Sequence, residues 1–214
     1  MIAPEGKIII FPSALITTIF YIGWIFTGYT FLMFIAMFGG LFIIFCFYFF
    51  RDPQREPPPG DHLVLSPADG RIIFIENVES SQSDSMSSTK LSIFMSIFNV
   101  HVNRVPVSGE VTLVSYTPGK FFTAFRQKAS HLNEQTEIHI KSGETFVKVN
   151  QIAGFIARRI LCNLRVGDRV TRGDRLGFIR FGSRIDIFLP DAVNLYVKVG
   201  QKVKGGETVL GEFV

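Results

Sequence analysis

Between Ile8 and Phe50 the chain carries no Asp, Glu, Lys, Arg or His for 43 consecutive residues, whereas nearly every charge lies C-terminal to Phe50. A helix crosses a bilayer core with about 20 apolar residues, so the run accommodates two passes and exceeds one. This predicts helices over Ile8 to Phe26 and Tyr29 to Phe50, turning at Thr27-Gly28, the second weakened by Gly39-Gly40. Tyr21, Trp24, Tyr29 and Tyr48 suit the interfacial layer. Residues 1–50 therefore read as a membrane-anchoring helical hairpin. A cleaved signal peptide or a buried core hairpin also contains an apolar run, but neither requires this length.

Beyond the run the pattern changes. Arg51-Asp52-Pro53 stops the second helix, and residues 51–62, with Pro57-Pro58-Pro59, read as a stiff Pro-rich linker. From Leu63 to Val214, short runs rich in Val, Ile and Phe alternate with Gly, Pro, Asp and Ser, the signature of a β-rich domain. Strands are expected over Arg71 to Ile75, Leu91 to Met95, Glu110 to Tyr116, Phe146 to Gln151, Leu176 to Ile179 and Arg184 to Phe188. Ser80 to Thr89, mostly serine, reads as a loop, and Phe121, Phe122, Phe125 and Ala129 give Gly119 to Ser130 the spacing of a short helix.

Two echoes suggest a duplicated unit. Ser66-Pro67-Ala68-Asp69-Gly70 resembles Val105-Pro106-Val107-Ser108-Gly109, and Val166-Gly167-Asp168-Arg169-Val170 resembles Val199-Gly200-Gln201-Lys202-Val203. The second pair continues alike, Arg172-Gly173-Asp174 beside Gly205-Gly206-Glu207. Such hairpins resemble those of biotinyl and lipoyl carrier domains. The expected fold class is mainly β (α+β), a barrel-sandwich-like β domain with a short helix behind a transmembrane helical hairpin.

Charge adds an orientation. Lys7 precedes the apolar run and Arg51 and Arg55 come after it, which places both ends, and the domain beyond, on the cytoplasmic side of the cell (inner) membrane. The net charge of +4 suits an anionic membrane surface or nucleic acid. The hairpin favours lipid, and the arginine-rich stretch from Arg158 to Arg175 lacks the interleaved aromatics of a nucleic-acid binder. Cys46 and Cys162 stand apart, so neither a disulfide framework nor a metal site is expected.

The residues that could carry chemistry are each ambiguous alone. Ser183 comes directly after Gly182 between two apolar strands, where a turn is the plain reading, and Ile185 rules out a hydrolase elbow. Alternation puts His101 and Asn103 on one face of a strand, which makes a polar pocket or merely a satisfied core histidine. Asp69 reads most simply as a turn residue.

In combination these segments resemble the phosphatidylserine decarboxylase family in its short form, over about Phe47 to Val214. The resemblance rests on Phe49-Phe50-Arg51-Asp52-Pro53, Ser66-Pro67-Ala68-Asp69-Gly70, Phe98-Asn99-Val100-His101-Val102-Asn103-Arg104, Gly119-Lys120-Phe121, Lys128-Ala129-Ser130 with Asn133-Glu134, and Arg180-Phe181-Gly182-Ser183-Arg184. It implies self-cleavage between Gly182 and Ser183 into a β chain of residues 1–182 and an α chain of residues 183–214, with Ser183 becoming a covalent pyruvoyl cofactor. It implies catalytic roles for Ser183, His101 and Asp69, and substrate binding by Arg104 and Asn103. The implied partners are phosphatidylserine, anionic membrane lipids and the α and β chains of one precursor; a homo-oligomer is left open, and nucleic acid is not implied.

Two positions depart from the family pattern. Longer members carry a second histidine where Arg104 stands, so the base that starts self-cleavage is His101 itself or another group such as His131 or His139. The usual Asn-Glu-Arg-Asn run reads Asn133-Glu134-Gln135-Thr136. The rival reading, a membrane-tethered carrier of the biotinyl type, predicts no cleavage and would need a modifiable lysine at a hairpin tip; Gln201-Lys202 lacks the usual flanking residues.

Overall fold

A computed structural model of the protein describes residues 1–78, 88–119, 133–154, 159–180 and 183–214. It comprises two compact units, Met1–Gln54 and Arg55–Val214.

In the first unit, α1 (Pro4–Thr27) ends at Gly28, whose φ of 70° supplies the left-handed cap and whose N–H donates to Trp24 O at 2.8 Å. Then α2 (Thr30–Phe49) runs unbroken through Gly39-Gly40. The glycine pair does not weaken it because a β-carbon on Gly39 would collide with the Thr17 side chain. Gly39 is a point of close helix approach, as small residues are in membrane helix pairs. At the far end Ala3 N donates to Phe50 O and Asp52 N to Met1 O, both at 2.7 Å, so the two ends of the hairpin lie on one side. Both helices are long and apolar enough to cross a membrane, and they leave Ile8, Phe11, Leu15, Phe31, Phe38 and Ile44 exposed.

The second unit is built of short antiparallel strands: β1 (Leu63–Leu65), β2 (Gly70–Val78), β3 (Ser88–Met95), β4 (Val102–Arg104), β5 (Gly109–Thr117), β6 (Gln135–Ser142), β7 (Thr145–Ile152), β8 (Ile160–Cys162), β9 (Arg169–Val170), β10 (Arg175–Ile179), β11 (Ser183–Pro190), β12 (Val193–Leu195), β13 (Lys202–Val203) and β14 (Val209–Phe213). One curled sheet has the order β13-β2-β3-β11-β7-β6-β5-β9, and two three-stranded sheets run β1-β14-β12 and β4-β10-β8. Period-two alternation sends Leu91, Ile93, Ile138, Ile140, Val147, Val149, Ile185 and Ile187 into one apolar core. All six expected strands are present. β6 is an addition to them; its alternation is Glu137-Ile138-His139-Ile140-Lys141. The expected helix at Gly119 to Ser130 and most of the expected loop at Ser80 to Thr89 lie outside the described residues, although Ser88 and Thr89 belong to β3.

The sequence echoes recur as matching backbone hydrogen bonds. Gly200 N donates to Ile72 O at 2.8 Å and Ile72 N to Gln201 O at 3.0 Å; Gly167 N donates to Val111 O at 2.8 Å and Val111 N to Asp168 O at 2.9 Å. Gly167 and Gly200 both take positive φ, 92° and 88°, which explains why glycine stands at both hairpin tips. Paired this way, β1, β2, β3 and β11–β14 form one half, and β4–β10 form a second half inserted between β3 and β11. The order of the large sheet then reads alike from either edge. In the second half β6 and β7 join through a tight turn, Ser142 pairing with Thr145. In the first half the equivalent strands, β3 and β11, are joined by residues 96–182. Ser183 is the first residue on the returning strand, opposite Met95.

Candidate active site

The Ser183 side chain shares the inner face of β11 with Ile185, Ile187 and Leu189 and is fully buried. Among the described residues its Oγ has no hydrogen-bond partner. A buried hydroxyl left in that state costs free energy, which marks the position as one not chosen for packing alone.

β4 carries the polar residues that share this interior. Asn103 is fully buried; its Nδ2 donates to Met95 Sδ at 3.6 Å, and its Oδ1 accepts from Gln151 Nε2 at 2.8 Å. Met95 in turn is the cross-strand neighbour of Ser183, so Asn103 and Ser183 meet through one side chain. His101, also fully buried, lies just before β4, with Ile179 N donating to its carbonyl at 3.3 Å and the Phe178 ring 6.3 Å from its own. His101 Nδ1 lies 3.0 Å from Asn99 O. A carbonyl only accepts, so Nδ1 carries the proton and Nε2 is the basic nitrogen of the neutral ring. Asn99 is fixed in turn, its Oδ1 accepting from Ser96 N and Ser96 Oγ at 2.9 and 2.8 Å.

Asp69 is placed differently. Both its oxygens accept from Arg55 Nη2, at 2.9 and 2.8 Å, and Oδ1 also accepts from Gly205 N at 2.8 Å. Arg55 Nη1 reaches Glu207 at 2.9 Å, and that hydrogen bond holds the Glu207 carboxyl below its ordinary range. Stability from this contact is present above the unfolded pKa of Glu207 and is lost as pH falls through the lowered folded value. A β-carbon on Gly206 would lie 3.4 Å from Cγ of Arg104, so the Arg104 stem passes beside this cluster. Arg104 pairs across the strand with Arg175.

Asn133 and Glu134 lie at the same end of the large sheet as Ser183. Asn133 Nδ2 donates to Ala153 O at 2.8 Å, Ala153 N donates to Glu134 O at 2.9 Å, and Glu134 Oε1 accepts from Ile160 N at 3.4 Å. Partial desolvation and the Glu134 carboxylate push the Tyr116 hydroxyl up. Gly119 belongs here because a β-carbon would run into the backbone of Asn133. His139 lies away from this interior, on the outer face of β6, 2.7 Å from Glu137. His131 lies outside the described residues, as do Phe181, Gly182 and Lys128 to Ser130.

The family model described as phosphatidylserine decarboxylase matches residues 42–211. The chain belongs to the phosphatidylserine decarboxylase family. It is therefore a carboxy-lyase. Relatives named phosphatidylserine decarboxylase proenzyme include one from Chlorobium phaeobacteroides, 44% identical over 212 residues and covering 99% of both chains. Another, from Chlorobium limicola, is 48% identical over 177 residues, 83% of each chain, and one from Ehrlichia ruminantium is 50% identical over 169 residues, 78% of this chain and 74% of its own.

Two features of this candidate site escape a reading of the sequence alone. Gln151 is a polar residue at an inward position of an alternating strand, and that misplaced polarity is the available signal. Arg184 and Asp186 alternate with inward isoleucines and so lie on the other face of β11, yet both are fully buried, with Nε and Nη2 of Arg184 each 2.7 Å from the Asp186 carboxylate. Lys90 lies 3.7 Å from Asp186 and 3.6 Å from Glu76, extending the charges across β11, β3 and β2. Removing one partner of such a buried pair costs about 3–5 kcal/mol, whereas replacing both by apolar groups is often neutral. Arg184→Met should therefore lower the urea-unfolding midpoint sharply, and Arg184→Met/Asp186→Leu should recover most of it.

Proposed function

We propose that the chain is a precursor that breaks its own Gly182–Ser183 bond and then decarboxylates phosphatidylserine to phosphatidylethanolamine at the cytoplasmic face of a membrane. The observation that carries this reading is the buried Ser183 hydroxyl at the point where the chain returns from its inserted half. Attack of Oγ on the Gly182 carbonyl forms an ester as the peptide C–N bond breaks. Elimination then cleaves Cβ–Oγ, releasing residues 1–182 as a carboxylate. Water hydrolyses the resulting enamine, expelling ammonia and leaving a ketone on residue 183.

The interior fits such a group. Its polar lining, Asn103 and Gln151, lies on the face that Ser183 occupies, and β11 holds the next residue in the sheet on both sides through β3 and β7. When formed, the group supplies the electron-withdrawing carbonyl that accepts the lipid amine and the charge left as carbon dioxide departs. His101 takes up a proton at Nε2, its basic nitrogen, and holds it for the position that loses the carboxyl group. Arg104 binds the anionic head group from an end of β4 that Arg175 makes doubly cationic, while Asn103, on the opposite face of the strand, lines the interior that receives the substrate amine. Asp69 acts through the Arg55 and Gly205 contacts, ordering the segment beside Arg104. Residues 1–50 anchor the enzyme in the bilayer, 51–62 connect, and 63–214 catalyse. Lys7, Arg51 and Arg55 put the shared side of the hairpin ends in the cytoplasm.

Intact-mass measurement of purified protein tests the reading. It should show the 32-residue fragment of residues 183–214 without an N-terminal amine, alongside carbon dioxide release from phosphatidylserine vesicles. A chain that stays whole yet releases carbon dioxide would refute it.

A further inference from the structure

On β7 the alternation that sends Val147 and Val149 into the core sends Gln151 there too. The amide is fully buried, and only half of it is engaged: Nε2 donates to Asn103 Oδ1, while Oε1 has no partner among the described residues. Ser183 Oγ is in the same condition on the adjacent strand. Gln151 faces Ile185, which makes it the diagonal neighbour of Ser183 across β7 and β11. Diagonal neighbours on one face lie about 7–8 Å apart at Cα, within the reach of a long side chain. Both sit on the inner face, and their chemistry is complementary, since Oε1 can only accept and the serine hydroxyl has a proton to donate.

The surroundings fix which end of the amide is available. Asn103 Oδ1 takes the Nε2 proton while Asn103 Nδ2 turns to Met95 Sδ; reversing the Gln151 amide would set two acceptors against each other. A β-carbon on Gly177 would lie 2.9 Å from Gln151 Nε2, so glycine at 177 leaves room for this arrangement.

We propose that Gln151 is a positioning residue for self-cleavage: when the Ser183 side chain turns about its Cα–Cβ bond, its hydroxyl donates a hydrogen bond to Gln151 Oε1, which poises Oγ for attack on the preceding residue. The two atoms are not bonded to each other in the structure. The inference rests on the processing described above. A carboxamide is too weakly basic to take the proton, so Gln151 orients the nucleophile and a different group deprotonates it. Asn103 acts behind it, holding the amide the right way round.

The test tracks cleavage itself, by the growth of the 32-residue fragment after synthesis, in the full chain and without added lipid. Gln151→Met keeps the length of the side chain and loses the oxygen acceptor; precursor should accumulate, with cleavage slowed about tenfold or more, as expected for losing one orienting hydrogen bond. Gln151→Glu in its protonated form donates to Asn103 Oδ1 through one oxygen and accepts through the other, so as pH is lowered its cleavage should recover relative to the methionine variant, which a purely packing role would not produce. Should the methionine variant fail to unfold cooperatively, Gln151→Leu carries the same expectation. Wild-type cleavage in the methionine or leucine variant overturns the proposal, as does a glutamate variant no faster than they are at lowered pH. A wild-type chain that never cleaves would instead overturn the processing reading.

Discussion

Ser183→Ala should leave the chain whole and without decarboxylase activity, the largest effect of any single substitution. Alanine removes the only atom that can attack the Gly182 carbonyl, and with it the Cβ–O bond whose elimination leads to the ketone, so cleavage and activity vanish together. The fold should survive. Ser183 Oγ has no hydrogen-bond partner among the described residues, and deleting an unsatisfied buried hydroxyl removes a penalty rather than a contact. Thermal unfolding monitored by circular dichroism should thus match or exceed that of wild type, while intact mass shows one species. A Ser183→Ala chain that still yields the C-terminal fragment would place the scissile bond elsewhere.

His101→Ala should separate the two activities. General acid–base groups contribute about 10²–10⁴-fold to rate, so turnover should fall by that order even in protein that has cleaved. The ring is held by a specific chain of contacts: Ser96 fixes Asn99, and the Asn99 carbonyl fixes Nδ1–H. Turnover numbers normalised to the amount of cleaved fragment are the measurement that decides. Wild-type turnover by cleaved His101→Ala would remove this residue from the reaction.

Much of the fold is legible without coordinates. The helical hairpin announces itself because a bilayer tolerates so few charges, and the duplicated hairpins do so because positive φ at Gly167 and Gly200 leaves glycine in matching places. The candidate active site is less legible. His101 and Ser183 are far apart in sequence, and only their resemblance to a known family links them; single-strand patterns leave each with a plain structural explanation. Asp69 cannot be placed from sequence either, because Arg55 lies 14 residues away and Gly205 136 residues away. Arg184 and Asp186 mislead for another reason: alternation distinguishes the two faces of a strand, not whether the outer one is covered. β6 is hidden because Glu137, His139 and Lys141 dilute its apolar residues.

If the chain cuts itself as proposed, the insertion of one half within the other determines how the processed enzyme would die. Its C-terminal piece would supply β11, seated between β3 and β7, with β13 beside β2 and β14 between β1 and β12. Cutting the bond before Ser183 would leave the ladders beyond the Ser183–Met95 pair in place, so the two pieces would stay together while folded. Once melted, they drift apart, and β11 must find β3 by diffusion rather than along a tether. The uncut chain can refold as a single molecule; the cut enzyme needs a bimolecular encounter, and its useful life is set by how fast it unfolds. Self-activation, in this topology, would be a one-way ratchet.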